Sequence, residues 1–185
     1  MTLTYGFELE IKNRIEAGEI EWIERGYDSS VPDGYEYRTV GGHELEKVKH
    51  LANVLFTRLG DRAVITNGCS FHIHVGGSFN GVRIRSRYEG ALATFIRAEL
   101  LRAFDRFPSS VKKRLASRIG KIFAHIAEAG VVGNYGPYPK PFTYEFRCFG
   151  NVNNIDDAVR CFNIAEDCTK AAMYQFKLFR SMGVM

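Results

Sequence analysis

The stretch Asn67-Gly-Cys-Ser-Phe-His-Ile-His-Val-Gly-Gly77 decides how this chain folds. Apolar and polar residues alternate along it, and in an extended strand successive side chains point to opposite faces. Phe71, Ile73 and Val75 therefore form an apolar row, while Ser70, His72 and His74 share the other side. A strand that buries one face ordinarily carries Thr, Lys or Ser on the other, so two imidazoles pointing the same way raise a functional question. Incidental histidines on a solvated face are the alternative. Three other segments with the same habit decide between them.

In Thr4-Tyr-Gly-Phe-Glu-Leu-Glu-Ile11, Phe7, Leu9 and Ile11 fall on one side and Glu8 and Glu10 on the other, with Cα atoms of the two glutamates roughly 6.7 Å apart at strand rise. In Gly34-Tyr-Glu-Tyr-Arg-Thr39, Glu36 and Arg38 share a face. In Phe142-Thr-Tyr-Glu-Phe-Arg-Cys-Phe149, Thr143, Glu145 and Arg147 lie opposite Phe142, Tyr144, Phe146 and Cys148. A sheet face that gathers Glu8, Glu10, Glu36 and Glu145 beside two histidines calls for a compensating cation, because adjacent like charges repel. If these strands are neighbours, the face offers oxygen ligands for magnesium or manganese, an imidazole for one coordination position, and Arg38 and Arg147 with the geometry of phosphate binders. As cleft residues, Glu10 and Glu145 are expected to be exposed and to add little to the core.

A chain of 185 residues suits one domain with a sizeable core and no disulfide staples. Cys69, Cys148, Cys161 and Cys168 form no CxxC pair and read as reduced, mostly buried thiols, with Cys161 and Cys168 as filler on one helical pattern. No run is long enough for a membrane span and the first residues read as a strand, so a cytoplasmic protein without membrane contact is expected. The net charge of +4 is unevenly spread: residues 1–50 are acid-rich, whereas basic residues between 83 and 121 far outnumber Glu89, Glu99 and Asp105. That basic stretch is a solvated helix surface or meets an anion, either the phosphate of a nucleotide, with Arg118 a candidate contact, or nucleic acid. No RNP, KH or zinc-finger pattern favours nucleic acid.

Taken in order, strand one covers about residues 3–12, and Glu19–Glu24 is expected to continue as its hairpin partner. Residues 27–34 have turn chemistry, with Asp28, Ser29 and Ser30 placed to line a cleft rim. Apolar positions recur at helical spacing from His43 to Leu59, and Gly60 terminates that helix. Ala63–Thr66 leads into the histidine strand, which Gly76 and Gly77 are expected to end. Helices are expected over about 85–107 and 111–129, separated at Pro108, and residues 130–141 form a Gly/Pro-rich connector placed to act as a lid. The last strand, 142–149, passes through Asn151–Asn154 into a C-terminal helix whose Asp156 and Asp157 suit its positive end. The order predicts an α+β fold: a curved antiparallel sheet of about five or six strands with helices on its apolar face.

Glu8-Leu-Glu10, then Asn67-Gly-Cys-Ser-Phe-His72-Ile-His74, then Thr143-Tyr-Glu145-Phe-Arg147, resembles the glutamine synthetase and carboxylate-amine ligase superfamily. It is most similar to the amidoligase branch, with its early Gly-x-Glu-x-Glu, an Asp-x-Ser before a further Glu, a Cys-x-x-His-x-His strand and a late Thr-x-Glu-x-Arg. The resemblance implies a glutamine synthetase-like catalytic sheet, and metal ligation by Glu8, Glu10, Glu36, His72 and Glu145. It also implies that His74 lies near nucleotide or substrate, that Arg147 faces a transferred phosphoryl group, and that Asn67 and Gly68 hold substrate. Where relatives carry glycine this chain has Ser70, which alters substrate approach at that position.

The implied reaction joins a carboxylate to an amine, in a small molecule or peptide, with ATP and Mg2+ or Mn2+ as cofactors. ATP first converts the carboxylate to an acyl phosphate, and the amine then displaces phosphate. Metal ions and an arginine suit the first step, and the second requires a general base, for which Asp28, Glu36 and His74 are candidates. Two other readings compete. One is a zinc-dependent hydrolase using His72, His74 and a glutamate, although hydrolytic zinc sites seldom carry so many carboxylates. The other is a non-catalytic member that binds nucleic acid or a protein partner through its basic helices.

Overall fold

A computed structural model of the chain describes residues 2–27, 31–66, 68–84, 89–116, 143–150 and 152–183. Among the described residues six strands are β1 (Leu3–Ile11), β2 (Ile23–Gly26), β3 (Tyr35–Thr39), β4 (Phe71–Phe79), β5 (Val82–Arg83) and β6 (Thr143–Phe146). Among the described residues the α-helices are α1 (Leu45–Leu59), α2 (Glu89–Arg102), α3 (Ser109–Ala116) and α4 (Ile155–Ser181). All strand pairings are antiparallel, in the order β2-β3-β1-β4; β6 joins β4 over Ile73–Gly76 and the short β5 joins it over Ser78–Phe79. The architecture is α+β, with β1 and β4 at the centre of the sheet.

Period-two alternation in these two strands puts a continuous apolar sheet on one side. Phe7, Leu9, Ile11, Phe71, Ile73 and Val75 are at most 1% exposed. Helices α1 and α4 bury their apolar stripes against this surface, Val48, Leu51, Ala52 and Leu55 from one and Ala158, Cys161, Phe162 and Ala165 from the other. Phe162 reaches Phe7 and Phe71 edge-on, with ring centroids 6.0 and 5.5 Å apart. Helix α2 packs along α4, covering Leu92 and Ile96. Asn154 starts α4 by accepting the Asp157 N–H through its side chain, which also places Asp156 and Asp157 in the first turn. Gly60 ends α1, at φ 54°.

Four expectations from the sequence require correction. The edge strand begins at Ile23 and pairs with β3, not with β1, because both edges of β1 are already taken by β3 and β4. Gly76 and Gly77 do not end β4. Gly77, at φ 84°, lets the backbone of Thr2 come within 2.5 Å of where a Cβ would stand, and the strand runs on to Phe79 before an Asn80-Gly81 turn with both residues at positive φ. Strand β6 stops at Phe146; Phe149, rather than Cys148, completes the core by stacking on Phe146 at 6.1 Å. Helix α2 ends at Arg102, followed by a short 3-10 turn at Phe104–Arg106. The expected connector at 130–141 and most of the helix over 111–129 lie outside the described residues.

Candidate metal-binding face

Opposite the helices, pairing brings the polar side chains into rows across the strands. One row runs Glu24, Arg38, Glu8, His72; the next pairs Gly6 with His74 and His74 with Glu145; on the other side Glu36 faces Glu10. The centre is a cluster of Glu8, His72, His74 and Glu145. His72 Nδ1 lies 3.1 Å from Glu8 Oε2 and 3.2 Å from Glu145 Oε1, and His74 Nε2 lies 3.0 Å from Glu8 Oε1. The ligating atoms of Glu8, His74 and Glu145 all fall within 4.8 Å of one another. His72 sits between the same two carboxylates, so either imidazole completes a set of one nitrogen and two oxygen donors. Among the described residues neither ring nitrogen of His74 has a hydrogen-bond partner, although the residue is only 8% exposed. Its approach to Glu8 is a close contact between ring nitrogen and carboxylate oxygen.

Electrostatics follow from this packing. Burial alone would raise the Glu8 carboxyl, but the bond from His72, the contact with His74 and the charge of both rings outweigh it and hold the group well below the usual carboxylate range. Glu10 accepts the Ser70 N–H at 2.7 Å, and the Ser70 carbonyl in turn accepts the Glu10 N–H at 3.0 Å. Glu145 accepts from Arg147 Nε at 2.6 Å. The like charges expected from the sequence are thus partly met by imidazole, guanidinium and backbone donors within the protein. Contrary to expectation, Glu10 and Glu145 are buried, at 4% and 9% exposure, as is Glu36.

Of the candidate residues, Glu8, His72, His74 and Glu145 come together, with Arg147 exposed at their margin. Glu10, Glu36 and Ser70 occupy the adjoining row. Arg38 shares the Glu8 row and pairs with Glu24 at 3.4 Å across the β2–β3 pair. Gly68 is exposed, before β4. Asp28, Asn67 and Arg118 lie outside the described residues. In the basic stretch, Arg102 pairs with Glu99, Arg106 with Asp167, and Lys112 donates to the Asp105 carbonyl. The sequence alone gives no role to Gly6, the partner of His74 on β1, or to Thr39, whose hydroxyl stands 2.6 Å from where a Cβ at Gly6 would be; their one signal is a glycine inside a strand.

None of the four cysteines forms a disulfide. Burial pushes the thiols of Cys148 and Cys168 up to about 12, and that of Cys161 higher still. No protein-family model matches this chain, and no curated protein matches it. Among the described residues no helix is long and apolar enough to cross a membrane.

Proposed function

We propose that the polar face of the sheet is the active site of an ATP- and magnesium-dependent carboxylate-amine ligase. The observation that supports this reading is the convergence of Glu8, Glu145 and two imidazoles on one face, with Glu10 and Glu36 in the next row. The donor set favours a hard cation: carboxylates outnumber imidazoles, the balance suited to magnesium or manganese rather than zinc, whose hydrolytic sites are richer in histidine. Glu8, Glu145 and an imidazole would hold one ion, and Glu10 with Glu36 a second; bound metal supplies neutralisation of phosphate charge. Arg147 is held against Glu145 through Nε, which leaves its terminal nitrogens to meet a phosphoryl oxygen. The zinc hydrolase is the second reading, since His74 brings a second imidazole nitrogen to the same carboxylates.

A metal ion takes deprotonated carboxylates and unprotonated ring nitrogens as ligands, so binding at this face should release protons as the solution becomes more acid. Calorimetric titration of Mn2+ in buffers of different ionisation enthalpy checks this. Affinity should rise from acid to neutral pH, and Glu145→Gln should weaken it strongly. A non-hydrolysable ATP analogue should then bind only with the metal present. Zinc binding without any effect of magnesium or nucleotide would transfer the site to the hydrolase reading, and no binding of any of these would end both.

A further inference from the structure

His74 stands on the sheet face away from α1 and α4, yet it is more than nine-tenths buried. Across from it on β1 is Gly6. A Cβ at Gly6 would project to the same face as Glu8, two residues on. It would stand 2.6 Å from Thr39 Oγ1, 3.6 Å from the Gly41 carbonyl oxygen and 4.0 Å from His74 Cβ. The end of β3 and the turn after it therefore occupy the space a side chain at position 6 would take, directly beside His74.

The Thr39 hydroxyl cannot simply swing aside, because it accepts the Phe7 N–H at 3.0 Å. Further ties hold the turn down: Tyr5 and His43 exchange backbone hydrogen bonds of 2.7 and 2.9 Å, and Val40 N–H donates to the Trp22 carbonyl at 2.9 Å. The close approach repeats one step along, where a Cβ at Gly42 would stand 2.9 Å from Thr4 Oγ1. Residues 39–42 thus lie along Thr4 and Gly6 as a wall. A glycine inside a strand weakens it, and here the missing side chain is what admits the turn.

We infer that Gly6 and Thr39 are positioning residues for His74: the bare Cα at position 6 admits the Thr39–Gly42 turn, and the Thr39 hydroxyl pins it, walling the imidazole away from water over the Glu8 and Glu145 carboxylates. Only the purpose of the imprisoned ring rests on the metal-face reading; the wall itself does not.

Diethylpyrocarbonate, which acylates accessible neutral imidazole, tests it without metal or nucleotide. Peptide mapping gives the rate at His74 against exposed His50 as internal reference. In the unaltered protein His74 should react far more slowly than His50. Gly6→Ala should raise the His74 rate several-fold while the melt stays cooperative. Thr39→Val, which keeps the bulk and removes the acceptor, should do the same, and Thr39→Ser should retain protection. The Gly6→Ala/Thr39→Val pair should react no faster than the faster single variant, since both remove one wall. An unchanged His74 rate in Thr39→Val would overturn the inference even if Gly6→Ala failed to fold, as would equal rates in Thr39→Ser and Thr39→Val. A protein that bound no metal but showed these rates would lose the ligase reading and keep the wall.

Discussion

At the scale of single residues, Glu8 carries the strongest electrostatic consequence. Its folded carboxyl is depressed below its ordinary value of 4.5, so its contribution to stability is whole above that pH. As pH falls below it, the unfolded chain takes up a proton that the folded chain refuses, and stability drops. Thermal melts between about pH 6 and about pH 3 should therefore fall more steeply for the unaltered protein than for Glu8→Gln, by about 1–3 kcal/mol for a charge-assisted bond of this kind. Equal slopes would mean that the contacts with His72 and His74 hold no charge. Glu10 needs a different variant from the one its sequence position suggests. Because its carboxylate satisfies the Ser70 N–H, Glu10→Ala strands a half-buried donor, at a cost of about 1–3 kcal/mol, whereas Glu10→Gln keeps an acceptor oxygen. Comparing the two by urea denaturation separates loss of site from loss of fold. For the thiols, the sign is simple: with Cys161 and Cys168 buried and their ionisation suppressed, iodoacetamide should leave both unmodified in the native chain at mildly alkaline pH. Rapid native alkylation of either would contradict the packing of α4.

At the scale of elements, alternation in β1, β3, β4 and β6 is legible in the sequence, because side-chain parity follows from the backbone alone. Which strand lies beside which is not. Parity says that Glu8 and His72 face the same way; only the register, Glu8 opposite His72 and His74 opposite Glu145, makes them touch. The partner of Ile23–Gly26 escapes sequence reasoning on the same ground, since pairing depends on which edge is vacant and not on local pattern. The Asn80-Gly81 turn, by contrast, has a local signature, an Asn-Gly between Phe79 and Val82. Burial of Glu10 and Glu145 is invisible in the sequence, because it arises from neighbours distant in the chain. Close approaches of backbone are hidden too. At Gly34 a Cβ would stand 1.9 Å from the Ile11 carbonyl oxygen, and backbone cannot yield as a side chain can. Gly34→Ala should part the end of β1 from β3 and lower the melting temperature by more than Gly26→Ala, at whose Cβ position nothing stands within 4 Å. Equal melts in a calorimeter would remove that contact from consideration.

At the scale of the molecule, two opposed surfaces of one sheet do separate work. The inner one is aromatic and helix-covered, and Phe162 joins α4 to both central strands through Phe7 and Phe71. Phe162→Ala should cost about 3–5 kcal/mol, a large share of the stability of an ordinary domain, and should lower the urea midpoint without changing which metal the outer surface prefers. A shift in metal preference would show that the two faces are coupled. The helical half is legible from periodicity, as α1 and α4 illustrate, because 3.6-residue spacing and a terminating glycine are local signals. The wall beside His74 is not, since it depends on a turn folding back over another strand. That turn has a built-in optical readout. The chain holds a single tryptophan, Trp22, and its ring lies 5.4 Å from that of His43 and 4.4 Å from Lys47 Nζ. Intrinsic fluorescence of this protein therefore reports on the corner where the turn is anchored and says little about the core. A ligand that settles between the carboxylates should leave the emission dark to its arrival, while one that pries the turn upward should move His43 against the indole and announce itself in a cuvette, with no label attached.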